Sequence, residues 1–189
     1  EFEKMYQLFD DPWNQKKDGY VENSISRQIV CNYINSYNIK SIVEFGCGLG
    51  KTSNFINSNT GVEILGIDIS KTSIDKSKKN YPNLNFKVDD IININNYNNY
   101  ECFFFSEITW YILEDKMLDK VFNKMIQYLK GKYFIHNLVF YKGQQKYGRE
   151  YFTNLNQFID FCPFELLAKV EIDFKNSDTF ETSSIFKIK

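Results

Sequence analysis

The stretch EFGCGLGKT, Glu44 to Thr52, ends a short apolar run and sets three glycines on alternate positions before Lys-Thr. Such a turn suits a nucleoside triphosphate, a dinucleotide pyrophosphate, or a cofactor without phosphates. A triphosphate-cradling loop needs a glycine five residues before the glycine of Gly-Lys-Thr. Counting back from Gly50 lands on Phe45, so the Lys51-Thr52 match reads as accidental. The dinucleotide fingerprint needs glycines at relative positions 1, 3 and 6. From Gly46 these are Gly46, Gly48 and Lys51, and the third glycine is missing. What remains is an acid, Glu44, ahead of Gly46, Gly48 and Gly50. Glycines let a backbone turn sharply and approach a ligand closely, and the carboxylate beside them suits a positively charged ligand better than a phosphate.

Outward from this turn, SIVEF (Ser41 to Phe45) reads as a buried strand and KTSNFI as the start of a helix. GVEILGIDIS, LNFKV and ECFFFS read as the second, third and fourth strands, with Ser70 as the N-cap of an intervening helix. Apolar residues at helical spacing predict helices over roughly Val21 to Asn38 and Met117 to Leu129. KYFIHNLVF predicts a fifth strand, a short helix lies near Leu155 to Phe161, and FELLAKVEIDF with TFETSSIFKIK form a closing antiparallel hairpin. The alternation predicts an α/β doubly wound, Rossmann-like sheet, mostly parallel, with an antiparallel edge. One domain over 1–189 is expected, with 1–38 as an N-terminal cap segment and helix. NINNYNNY, Asn93 to Tyr100, reads as a surface loop of biased composition.

Two further acids fall at strand ends. Asp68 lies 20 residues after Gly48, where an acid accepts hydrogen bonds from ribose hydroxyls. Asp89-Asp90 follows the third strand, where a carboxylate can accept from an adenine amino group. The run IVEFGCGLGKTSNFI, LGIDIS, NFKVDDI and FFFSEITWYI resembles the class I S-adenosylmethionine-dependent methyltransferases over most of the chain. That resemblance implies S-adenosyl-L-methionine as cofactor and S-adenosyl-L-homocysteine as product. It places Glu44, Gly46, Cys47, Gly48 and Gly50 at the methionine part and Asp68 at the ribose. Asp90, or Asp89 beside it, takes adenine, with Ile69 and Ile91 flanking the ring and Ser106 at the fourth-strand end near the transferable methyl.

Balanced charge, 23 Lys+Arg against 24 Asp+Glu, gives no reason to expect nucleic acid as a partner. No apolar run reaches the roughly 20 residues of a membrane span, and no signal-peptide pattern opens the chain, so a cytoplasmic setting is expected. Glu1 in the first position leaves open a trimmed or longer parent chain. Four scattered cysteines and a single histidine predict no metal site.

The segment SEITWYI lacks the Asn/Asp-Pro-Pro-Tyr of methyltransferases acting on nucleobase amines or glutamine, so a small-molecule acceptor is expected. DDPWNQKKDGYVE resembles the lead-in of some sugar-modifying members, and carbohydrate modification is the expected setting. His136 reads either as a general base or as a buried strand histidine, and Glu107 as an acceptor-orienting group or a support for the cofactor. Tyr141 to Phe161 reads as a lid over the acceptor. There Lys142, Lys146 and Arg149 would grip a phosphate or uronate, with Tyr141, Tyr147 and Tyr151 against a sugar face; an ordinary solvated loop is the alternative. Trp110 and Tyr111 are pocket wall or core. O-methylation of a sugar-derived or phosphate-bearing substrate is expected ahead of N-methylation of a small amine. A cofactor-binding module without catalysis is the rival from another class, and an NAD-dependent oxidoreductase a weaker one. Oligomeric state is not legible.

Overall fold

The structure, a computed structural model, describes residues 1–15, 19 and 21–189. Seven strands form one sheet: β1 (Ser41–Phe45), β2 (Glu63–Asp68), β3 (Asn85–Val88), β4 (Cys102–Ser106), β5 (Tyr133–Tyr141), β6 (Glu165–Asp173) and β7 (Thr179–Lys187). Their order is β3-β2-β1-β4-β5-β7-β6. The first five run parallel, and β7 enters antiparallel between β5 and β6. The helices are α1 (Phe2–Leu8), α2 (Ile25–Ser36), α3 (Lys51–Thr60), α4 (Lys71–Asn80), α5 (Met117–Tyr128) and α6 (Leu155–Phe161).

Strands buried on both faces are continuously apolar, and SIVEF and CFFFS show why. Val43, Phe45, Phe103 and Phe105 face α5 and α6, whereas Ile42, Ile64, Phe104 and Ile135 pack in the core that holds α2. Local chemistry sets the helix starts. Ser24, Ser70 and Asn154 each accept a backbone N–H of the first turn, which satisfies a donor that the helix leaves unpaired. That cap at Ser24 starts α2 at Ile25, four residues later than the periodicity suggests.

One expectation changes. NINNYNNY is not a plain surface loop: Ile91–Tyr97 is a 3-10 helix with Ile94 and Tyr97 buried against the aromatic core. The region after β4 forms two short 3-10 turns, Thr109–Tyr111 and Glu114–Lys116, before α5 begins. Among the described residues, no helix is long and apolar enough to cross a membrane.

Candidate functional site

The carboxyl ends of β1, β2 and β4 lie level, with Phe45 paired to Ile67 on one side and to Phe105 on the other. A crevice of about 450 Å³ opens above them, within the roughly 300–1,000 Å³ typical of small-molecule sites. The glycine turn forms one wall. Gly46 and Cys47 both donate their N–H to Ile67 O, at 2.8 and 3.0 Å, which binds the turn to β2. Gly46 has φ +75°, and an added Cβ would fall 2.2 Å from Ile108 Cγ2. Only glycine fits there.

Asp68 closes the turn. Its Oδ2 accepts from Gly48 N at 3.0 Å and its Oδ1 from Ser70 N at 2.9 Å. Burial raises its carboxyl pKa, while those two backbone donors oppose the rise. A carboxylate oxygen can accept more than one hydrogen bond, and Asp68 lines the crevice. Glu44, at the end of β1, is buried and accepts from Ser53 Oγ. Burial lifts its pKa from 4.5 to about 7, against the pull of Ser53 and Arg27.

The paired acids after β3 have separate roles. Asp89 is held by Asp90 N and Asn93 Nδ2 at 2.8 Å each, by Tyr97 OH at 2.5 Å, and by Lys87 Nζ at 3.2 Å. Partial burial would raise its pKa, but these donors hold it at about 2. Asp90 caps the following 3-10 helix through Ile92 N with Oδ1, leaving Oδ2 for the crevice.

Across the cleft, Glu107 follows β4 with φ +60°. Such a conformation costs a non-glycine residue roughly 1–3 kcal/mol and persists only where the surroundings over-determine it. Glu107 N donates to Asn137 O, and its carboxylate meets Arg27 Nη2 at 3.4 Å. Arg27 is buried on α2 and also donates through Nε to Thr52 Oγ1 at 3.1 Å. Lys51 pairs with Glu22 at 3.3 Å. The Lys-Thr pair therefore serves the packing of the N-terminal region.

The N-terminal segment crosses the crevice, and Phe2, Tyr6, Trp13 and Gln15 line it. Glu3 anchors α1 to the start of α4, accepting from Thr72 Oγ1 (2.6 Å), Ser70 Oγ (2.7 Å) and Thr72 N (3.1 Å). Lys76 Nζ donates to the carbonyls of Tyr6, Phe9 and Asp10. Gln15 Oε1 accepts from Leu49 N at 2.8 Å, and the rings of Phe2 and Trp13 meet Tyr111 at 5.3 and 5.6 Å.

The family model described as "Methyltransferase domain" matches residues 42–132, the span that carries the glycine turn and its acids. That span, just under half of the chain, is similar to a methyltransferase domain. A protein of Invertebrate iridescent virus 6 named as methyltransferase 235L is 42% identical over 57 residues, which are 30% of this chain and 22% of the viral protein. The N-methyltransferase NodS from Bradyrhizobium japonicum WM9, solved with S-adenosyl-L-homocysteine, superposes with TM-score 0.74 at 14% identity over 98% of each chain. PH0226 from Pyrococcus horikoshii OT3 gives 0.73 at 15% over 100% of each. TehB from Haemophilus influenzae gives 0.65 at 16%, over 95% of this chain and 66% of TehB. Likeness at such low identity speaks for the fold.

Of the residues singled out from sequence, Glu44, Gly46, Asp68, Ile69, Asp89, Asp90, Ile91, Ser106, Glu107 and Tyr111 line the crevice. Gly48 and Gly50 act behind it. Gly48 presents its N–H to Asp68, and Gly50 starts α3 in the left-handed region against Phe86. Cys47 turns its thiol away, into a small cluster with Ile74 and Phe86.

His136 is a correction. The strand β5 runs on to Tyr141, zipped to β7 along its whole length, so His136 lies within the sheet and not at its edge. Its ring is fully buried and stacks on Phe158 at 3.8 Å, with Nε2 at 2.7 Å from Thr109 Oγ1. Burial lowers its pKa to about 3. It does not line the crevice and has no access to an acceptor. His136→Gln should leave turnover within about threefold while costing about 0.5–1.5 kcal/mol for the lost ring pair. A turnover loss of about 100-fold in the folded variant would restore the base assignment.

The expected lid is a second correction. Tyr141, Lys142, Lys146, Tyr147, Arg149 and Tyr151 do not line the crevice. Gln145 is buried and folds this segment on itself, accepting from Tyr141 N and donating to Tyr147 O. Lys146 sits over the Tyr141 ring, Lys142 pairs with Asp173, and Tyr151 OH reaches Leu113 O. Trp110 is core, packed on Phe140 and Phe152 with its N–H on Val139 O. The wall residues that sequence reasoning missed include Arg27, Thr52, Ile108, Glu114, Asp115 and Met117. Arg27 is the most informative: a charged residue on the buried stripe of an amphipathic helix signals a partner elsewhere in the fold.

Proposed function

We propose that this chain binds S-adenosyl-L-methionine through Glu44, Gly46, Asp68, Asp90 and the Ile69/Ile91 walls, and transfers its methyl group to a small-molecule acceptor beside Glu107 and Tyr111. The observation that carries the reading is the shared crevice: Glu44, Asp68 and Asp90 lie at adjacent strand ends around one glycine turn. The residues fit the cofactor. Asp68 offers carboxylate lone pairs for ribose hydroxyls, Asp90 has a carboxylate oxygen for adenine, and the isoleucines give a slot for a flat ring. A charged Glu44 would face the α-ammonium of the methionine part.

When bound, the sulfonium supplies an already activated methyl. What this chain's residues contribute is alignment and exclusion of water, the latter from Phe2, Tyr6 and Trp13. With His136 in the core, the described wall offers no base stronger than a carboxylate, so the acceptor must bring a nucleophile that needs none. That favours the amine alternative over the sugar oxygen, and the anion-binding residues expected for a phosphate-bearing substrate lie elsewhere.

The test is thermal unfolding with S-adenosylhomocysteine, NAD and ATP in parallel. At 100 times its Kd, S-adenosylhomocysteine should add about 2.7 kcal/mol, about 5–10 °C for a chain of this size. A shift with NAD or ATP and none with S-adenosylhomocysteine would overturn the cofactor assignment.

A further inference from the structure

We propose that the methyl acceptor is a primary or secondary amine, drawn into the crevice as an ammonium ion by Glu107 and the aromatic wall of Phe2, Trp13 and Tyr111. This rests on the methyl-transfer reading above and names its substrate class.

The first support is the charge of the wall. Glu44, Asp68, Asp89, Asp90, Glu107, Glu114 and Asp115 line the crevice, with Arg27 as the one cationic side chain among the described lining residues. The cofactor has a net charge of +1, from its ammonium, carboxylate and sulfonium. Placed against Glu44, Asp68 and Asp90, and with Asp89 paired to Lys87, it leaves three acids, Glu107, Glu114 and Asp115, against Arg27, the one cation among the described lining residues. An anionic acceptor would meet repulsion there, and a cationic one is attracted.

The second support is geometry. Glu107 holds a strained φ of +60° at the end of β4, and its side chain stays one-third exposed despite the contact with Arg27. An ion pair alone would not require that backbone. Glu107 lines the same crevice as Tyr111. Phe2 meets Tyr111 edge-on and Trp13 meets it tilted, so rings of two distant segments form one aromatic cluster on the crevice. Aromatic faces attract ammonium groups, and a neighbouring carboxylate fixes their orientation.

The third support is the chemistry the wall lacks. An aliphatic hydroxyl needs a strong base near its proton, and Tyr6, a phenol of the described wall, has its pKa pushed up by burial and by the charge of Asp68 and stays neutral. An amine needs only to lose its proton to water first. Its lone pair then forms the N–C bond while the electron pair of the C–S bond passes to sulfur. The positive charge moves from sulfur to nitrogen, and the new ammonium releases a proton to solvent at the crevice mouth, where Tyr111 is exposed.

The experiment uses methyl-labelled S-adenosylmethionine with the full chain and matched acceptors. Glucosamine, ethanolamine and putrescine are set against glucose, ethylene glycol, butanediol and glucose 6-phosphate. Label should enter an amine and none of the others, with a rate that rises about tenfold per pH unit below the amine pKa. Glu107→Gln should raise the KM for that amine about tenfold or more while leaving the melting shift with S-adenosylhomocysteine intact. Label in an alcohol or the phosphate ester, or in no amine while S-adenosylhomocysteine still binds, overturns the amine assignment alone. Failure of S-adenosylhomocysteine to bind strikes the methyl-transfer reading beneath it.

Discussion

Asp68→Asn is expected to weaken S-adenosylhomocysteine binding by about 100-fold or more, while costing the ligand-free fold only about 1–3 kcal/mol. The difference follows from what each oxygen does. Inside the protein, Oδ2 and Oδ1 accept the N–H groups of Gly48 and Ser70. Asparagine keeps one acceptor and sets an NH₂ against the other donor, so one backbone group loses its partner. Toward the ligand, the charge-assisted bonds proposed between Asp68 and the ribose hydroxyls would be lost or weakened, each worth about 1.5–3 kcal/mol. Titration calorimetry beside urea unfolding separates the two effects. Equal losses in binding and stability would mean that Asp68 only shapes the glycine turn.

Glu44 should make the protein less stable as pH rises from about 4.5 to 7. Its folded pKa, about 7, lies above its ordinary 4.5 because burial disfavours the charged form. Between those values the folded chain holds a proton that the unfolded chain has released. The stabilisation is therefore complete below about pH 4.5 and is lost as pH climbs through 7, a change of about 3 kcal/mol. Glu44→Gln removes this dependence. Asp68, also raised by burial, is present in both proteins, so the difference between their urea-unfolding profiles isolates Glu44. Parallel profiles across that window would remove the titration from the stability of the fold. Cofactor affinity should run the opposite way over the same range, because a cationic ligand favours the ionised carboxylate.

The contrast between Glu44 and His136 shows where local reading succeeds. Glu44 sits at the end of a short strand whose boundary is written into the chain by the glycines that follow. Asp68 is fixed likewise, because GIDIS ends where Ser70 caps α4. Strand ends of this kind depend on turn and cap chemistry within a few residues. His136 depends on what covers β5: β7 pairs with it, Ser184 standing opposite from 48 positions away, and Phe158 of α6 stacks on its ring. The same reasoning explains Tyr97. Its segment is polar and repetitive, yet its ring fills a gap against Phe45 that exists only after the sheet has formed.

By itself, the sequence determined the parallel α/β order, the glycine turn and the three carboxylates beside it, because strand periodicity, caps and turn residues act over short distances. Only the tertiary structure decided that Glu3 and Lys76 pin α1 to α4, that Arg27 meets Glu107, that Asp90 and not Asp89 keeps an oxygen on the crevice, and that the one histidine is core. Each of those depends on side chains far apart in the chain sharing one volume, and burial there sets both their partners and their charge.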